Sequence, residues 1–220
     1  MARSVIQLNG ASAGYAGHAV LHDINLEIAA GERVAVMGRS GAGKSTLLNL
    51  LYQKCAADIA LIPQAAALVK TLSVFHNVYM GRLDRHTSLY NLRTLMWPRP
   101  RDVIEVERIL GIVGLTEKLF VKAGALSGGQ QQRTSVARAL FNGKPIIIGD
   151  EPVSSLDRVQ AAEILRELCE HCETAIFAIH DISLALTHTD RVIVIEAGRI
   201  VLDAPARTLS AADLVPYYGG

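Results

Sequence analysis

The sequence predicts an α/β protein: a mostly parallel sheet flanked by helices, with an inserted helical stretch. Three observations lead there. Short apolar runs suited to strands alternate with segments of helical period, the rhythm of βαβ units. A glycine-rich turn, GRSGAGKST (residues 38–46), lies between one such run and the first helical segment. From residue 72 to 123 the strand signals stop and the patterns are mostly helical.

The elements follow in chain order. SVIQLNG and INLEIAAGERVAVMG read as strands, with Ile24, Leu26 and Ile28 alternating and VAVM forming a short buried run that ends at Gly38. From Lys44 the period becomes helical, carried by Leu47, Leu48, Leu51 and Tyr52. Residues 59–62 form a short strand stopped by Pro63. The helical stretch contains WPRPRD, read as a loop rich in arginine and proline. A helix follows SGGQQ, and then come the strand PIIIG, a helix from about Arg158 to His171, and the strand AIFAI. A short helix and the hairpin-like VIVIEAGRIVLD complete the pattern. No internal repeat or low-complexity segment breaks it.

Composition narrows the function. The chain has 220 residues, half of them hydrophobic, enough for a substantial core. Its 22 basic and 21 acidic residues nearly cancel, so no global field argues for nucleic acid or an anionic membrane. Three cysteines, Cys55, Cys169 and Cys172, give no disulfide framework and fit a reducing compartment. CEHC is a single CxxC inside a helical pattern, a poor zinc or redox site. The N-terminal residues lack a secretory signal, and no stretch reaches the roughly eighteen apolar residues of a membrane span. The expectation is a soluble, cytoplasmic chain.

GRSGAGKST fits the P-loop pattern GxxxxGK[ST] in its required strand–turn–helix context. Glycines let the backbone wrap phosphate oxygens with N–H groups pointing inward, and the following helix adds its positive end. Lys44 can reach the β- and γ-phosphates, and the Ser45 hydroxyl can ligate Mg²⁺. In IIIGDEP, a buried strand delivers Asp150, suited to Mg²⁺, and Glu151, suited to polarising an attacking water. Taken alone, the first motif could be a bare Gly/Ser turn and the second two carboxylates opening a loop.

The motifs GRSGAGKST, ALSGGQQQR (residues 125–133), IIIGDEP, SSLD (residues 154–157) and IHD with His180 occur in this order. Together they resemble the ATP-binding cassette (ABC) ATPases over essentially the whole chain. The resemblance implies a P-loop NTPase core with an antiparallel β-subdomain and an inserted α-helical subdomain. That gives one domain over residues 1–220, with 1–64 and 125–220 as core and about 65–124 as the helical insertion. It implies that ATP contacts Gly38, Arg39, Ser40, Gly41, Ala42, Gly43, Lys44, Ser45 and Thr46, with Tyr15 stacking on adenine. It further implies head-to-tail pairing, each ATP lying between one copy's P-loop and the other's Ser127, Gly128, Gly129 and Gln130. A decorative glycine-rich helix cap would also account for that last segment taken alone. Gln64 matches the glutamine that touches Mg²⁺ and water and senses the membrane partner. His180 matches the switch histidine at the γ-phosphate, and Asp157 the aspartate that communicates across the dimer.

Within this family, SVFHNVYMGRLDRHTSLYNLRTLMWPRPRD (residues 73–102), the triple glutamine and EPVSSLD resemble the phosphonate-import ATPases. The implied partners are a second cassette, integral membrane permease subunits and, for an importer, a solute-binding protein. Arginines 82, 85, 93, 99 and 101 suit lipid headgroups, the permease or simply solvent. The competing readings are another importer or exporter, a soluble ABC ATPase acting on nucleic acid, and a regulator without turnover. The absence of paired cassettes, long heptads and zinc spacing argues against nucleic acid, and the intact Lys44, Asp150, Glu151 and His180 argue against a silent regulator. The chain departs from the family pattern in one respect of consequence. Gln64 follows Lys44 by only twenty positions. The hairpin the family carries there is mostly gone, which predicts a truncated β-subdomain and leaves the support of Gln64 in question. Arg158 replaces the proline often found after SSLD.

Overall fold

The structure, a computed structural model, describes residues 3–15 and 18–218; the side chain of Tyr15 lies outside that description. Two sheets organise the chain. β1 (Ser4–Tyr15) and β2 (His18–Ala29) form a two-stranded antiparallel sheet. The strand extends past SVIQLNG through a stretch the sequence pattern leaves unassigned. Register shifts between Leu8 and Ala11, and again to Ala13 and Gly14, break the two-residue alternation there, which hides the strand from pattern reading.

The second sheet holds β3 (Arg33–Met37), β4 (Ile59–Ile62), β5 (Ile146–Asp150), β6 (Thr174–Ala178), β7 (Arg191–Glu196) and β8 (Arg199–Pro205). Its order is β4-β5-β6-β3-β7-β8, parallel throughout except for the β7–β8 hairpin. Alternation along β3 feeds two cores. Val34 and Val36 face a cluster with Leu47, Leu48, Leu51 and the small sheet, while Ala35 and Met37 face a second cluster reaching Phe75, Leu110 and Val136.

Helix α1 (Lys44–Cys55) buries Leu47, Leu48 and Leu51 against the first core, as its period predicts. Only residues 56–58 separate it from β4, so no third strand joins the small sheet among the described residues. Contacts from the larger sheet brace it instead: the His22 amide donates to Gly198 O (2.9 Å), and Arg191 Nη1 to Glu27 O (2.9 Å).

α2 (Val74–Tyr79), α3 (Ser88–Met96) and α4 (Pro100–Ile112) make up the helical stretch, with a 3₁₀ segment at Met80–Arg85. WPRPRD is only partly a loop. Pro100 occupies the first turn of α4, where its missing N–H costs nothing. α5 (Gly128–Asn142) packs on α2 and α4 and stops at Gly143, whose φ of 66° only glycine adopts freely. α6 (Arg158–Glu170), α7 (Ile182–His188) and the short α8 (Ala211–Leu214) complete the fold. The result is the predicted α/β class with a reduced antiparallel sheet.

Candidate functional site

Parallel pairing brings the expected site residues to one edge. β3, β4, β5 and β6 run in the same direction, so their carboxyl ends deliver Gly38, Gln64, Asp150 with Glu151, and His180 side by side.

The turn after β3 needs its glycines. Gly38 has φ 137°, and a Cβ there would lie 2.2 Å from Ile195 O. Gly43, at φ 113°, caps α1 without any side-chain hydrogen bond and leaves the helix N–H groups free for a ligand. Arg39, Ser40 and Gly41 are exposed, and Ala42 closes the turn by donating to Arg39 O (3.2 Å). Lys44 Nζ donates to Gly38 O (2.8 Å) and Arg39 O (3.0 Å). Burial pulls its pKa down, an effect Glu151 and Asp150 partly oppose. Ser40, Gly41, Gly43, Lys44, Ser45, Thr46, Gln64 and Glu151, with Val20, line a cavity of ≈ 310 Å³. Tyr15 ends β1, and its expected stacking role falls outside the described side chains.

Gln64 stays at this edge despite the shortened segment, because β4 pairs directly with β5 through Ile62 and Gly149. Beyond it, Arg138 donates to Ala66 O (3.1 Å) and Ala67 O (2.8 Å), anchoring the loop to α5.

Asp150 has a buried Oδ1 without a hydrogen-bond partner. An orphaned carboxylate oxygen beside a phosphate-sized cavity suits a hard cation such as Mg²⁺. Glu151 sits at φ 54°, unusual for a side chain of its size. Its amide donates to Ala178 O (3.2 Å), and its Oε1 lies 2.6 Å from His180 Nε2. Asp157 accepts from the amides of Val159 (3.1 Å) and Gln160 (3.0 Å), which makes it the N-cap of α6.

A larger cavity of ≈ 460 Å³ lies on the other side of Glu151 and His180, against Leu156, Arg158 and Leu184. It lacks the turn amides and the helix start, so the smaller cavity is the candidate phosphate site.

Ser127 caps α5 through a reciprocal box: its Oγ accepts from Gln130 N (3.3 Å), and Gln130 Oε1 accepts from Ser127 N (3.0 Å). Ser127 and Gly128 are exposed, and none of Ser127, Gly128, Gly129 or Gln130 lines the ≈ 310 Å³ cavity.

The family profile described as ABC transporter matches residues 21–154. This chain belongs to the ABC transporter family. Curated relatives include the phosphonates import ATP-binding proteins PhnC of Pseudomonas putida and Bacillus cereus. The first is 36% identical over 94% of this chain and 87% of its own length, the second 37% over 90% and 88%. A bacterial ABC transporter cassette solved as a dimer superposes with a TM-score of 0.80 at 26% identity, covering 92% of this chain and 99% of its own. A nucleotide-free cassette shares the fold at a TM-score of 0.79 and 21% identity, over 99% of this chain and all of that one. The chain is accordingly an ABC-type ATPase, a nucleotide-binding subunit that binds and hydrolyses ATP. No described helix is long and apolar enough to cross a membrane.

Two residues of the cassette carry site contacts that sequence reasoning misses. Gln132 Nε2 donates to Glu151 O (3.0 Å); the run of glutamines flags the segment but not which member points inward. Tyr218 Oη accepts from Gly38 N (3.2 Å) and donates to Ile179 O (3.2 Å), and its ring stands edge-on to His180 at 6.3 Å. No local pattern marks that tyrosine.

Proposed function

We propose that two copies of this chain clasp two ATP molecules head to tail, and that hydrolysis there drives a membrane permease importing phosphonates or related oxyanions. The observation that carries the pairing is the divided site. The cavity holding the glycine turn, Lys44, Gln64 and Glu151 contains no part of Ser127–Gln130, while that segment presents an exposed, well-capped helix start. A helix N-terminus with two glycines and a serine whose capping hydroxyl can still donate its proton suits another molecule's γ-phosphate.

In this reading the turn amides and Lys44 bind the phosphates, and Tyr15 stacks on the adenine. Ser45, Gln64 and Asp150 would hold Mg²⁺, which when bound offsets charge on the β- and γ-phosphates. The orphaned Asp150 Oδ1 and the hard oxygen donors support that assignment. Glu151 orients the attacking water, His180 contacts the γ-phosphate, and Asp157 relates one half-site to the other across the pair. The expected division into a core over residues 1–64 and 125–220 and a helical insertion over about 65–124 belongs to the same reading.

The permease side is supported by an apolar groove of ≈ 390 Å³ between α2 and α3, lined by Leu72, Tyr79, Leu83, Leu92 and Leu95. Leu89, Met96 and Trp97 stand exposed on α3 and at its end. Docking there would hold the chain peripherally at the cytoplasmic face of the membrane. The phosphonate assignment follows the similarity to the phosphonates import ATP-binding proteins, and it would add a solute-binding protein as an indirect partner.

The test is complementation between half-sites. Lys44→Ala and Gly129→Asp are each expected to abolish hydrolysis. Mixed, they generate one site with both halves unaltered, and phosphate release returns. A mixture that stays silent although both variants fold and associate with ATP would end the head-to-tail reading. For the cargo, cells supplying a cognate permease and binding protein should grow on a phosphonate as sole phosphorus source only with the unsubstituted chain.

A further inference from the structure

We propose that Gln132 is a positioning residue that ties the helix opening at Ser127 to Glu151 of the same chain. The inference rests on the reading of Glu151 as the group that orients the attacking water.

The three consecutive glutamines make three different contacts. Gln130 Oε1 accepts from the Ser127 amide (3.0 Å), Gln131 Nε2 donates to Leu126 O (3.0 Å), and Gln132 Nε2 donates to Glu151 O (3.0 Å). The first two fix the turn that leads into α5. The third leaves the turn and reaches the residue after β5. Gln132 is only 3% exposed, so its amide is held in a packed, water-poor setting where a hydrogen bond has few competitors.

The acceptor is the carbonyl of a residue at φ 54°, which a glutamate holds only if its surroundings over-determine it. Four contacts do so. Ser154 donates to the same carbonyl from its amide (3.3 Å) and its hydroxyl (3.2 Å), and Ala178 O receives the Glu151 amide (3.2 Å). Those three come from the strand edge and the following turn. Gln132 alone among them comes from α5, the helix that starts at Ser127. Displacement of α5 when Ser127 and Gly129 meet a partner's nucleotide therefore pulls on the Glu151 peptide directly. One helix thus joins the two half-sites a single chain carries, by one hydrogen bond to the peptide rather than to the carboxylate.

The test is Gln132→Met, which keeps length and volume but removes the donor and leaves Glu151 O with its Ser154 donors. With the melting temperature near that of the unsubstituted chain, kcat is expected to fall about 10- to 100-fold while KM for ATP stays within about twofold. Gln132→Glu supplies a second readout. An ionised carboxylate cannot donate to a carbonyl, whereas a protonated one can, and burial favours the protonated form. Its rate relative to the unsubstituted chain should therefore rise as pH is lowered from about 8 to about 6. A folded Gln132→Met chain with undiminished kcat overturns the inference. If that variant does not fold, a Gln132→Glu rate ratio that is flat with pH does so. Glu151→Gln assayed in parallel separates the two ideas. Normal turnover there sinks the role of Glu151, whereas a dead Glu151→Gln beside a fully active Gln132→Met sinks only the role of Gln132.

Discussion

His180 Nε2 lies 2.6 Å from Glu151 Oε1, so the two side chains that close the strand edge hold each other. Water orientation by Glu151 requires that this contact be exchanged for one to solvent and phosphate. Glu151→Gln keeps the shape and loses the base. Turnover should fall by about three orders of magnitude, a barrier increase of about 4 kcal/mol, with ATP affinity nearly unchanged. Single-turnover phosphate release beside equilibrium nucleotide binding checks both halves of the statement.

Much of this arrangement was legible in the residues because its requirements are local. A tight turn after a strand needs glycine, and Gly38 and Gly43 do take left-handed φ values with a Cβ excluded by neighbours. Asp150 follows three isoleucines whose burial fixes where the strand ends. What stayed hidden depends on distant packing. Nothing near residue 218 announces that its hydroxyl meets Gly38, 180 positions away. The shortened segment after α1 was visible as a gap, but its outcome was not. Gln64 keeps its edge through the pairing of β4 with β5 and the anchorage of Arg138, both set by residues beyond position 130.

Gly128 separates function from folding. It is exposed, and a Cβ added there would meet nothing within 4 Å. Gly128→Ala should therefore fold normally or gain about 0.4–1 kcal/mol from a less flexible unfolded chain. If the helix start must approach a partner's phosphate closely, the same methyl group should lower turnover at least about tenfold, or about 1.4 kcal/mol of barrier. Thermal melting and steady-state hydrolysis on one preparation decide it, and unchanged hydrolysis would remove the close-approach argument.

The CxxC thiols should be inert. Burial raises Cys169 to about 11 and Cys172 to about 12, so both stay protonated at neutral pH. Alkylation at about pH 8 should modify the half-buried Cys55 first, the equally half-buried but more firmly protonated Cys172 more slowly, and the buried Cys169 only on unfolding. The linkage has a definite sign. Folded pKa values above the ordinary 9.0 give stability that is complete below pH 9 and is lost as pH rises toward 11 to 12. A Cys169→Ala, Cys172→Ala double variant should show a shallower fall in melting temperature across that window, and an equally steep fall would refute the assignment.

Tyr218 bridges two of the strand ends that build the site, receiving the Gly38 amide and donating to Ile179 O just before His180. Burial raises its pKa, which keeps the hydroxyl protonated and able to serve both partners. Tyr218→Phe leaves the ring beside His180 but strands a buried amide at the first residue of the phosphate turn. The cost should be about 1–3 kcal/mol of stability. For a chain of this size each kcal/mol lowers the melting temperature by about 2–4 °C. Because Gly38 O also receives Lys44 Nζ, a loosened Gly38 peptide should weaken ATP binding more than it slows the hydrolytic step. Calorimetric ATP titration of the folded variant would show a raised Kd beside a nearly constant kcat. The opposite pattern, an unchanged Kd with a depressed kcat, would mean that the tyrosine acts through His180 rather than through the phosphate turn.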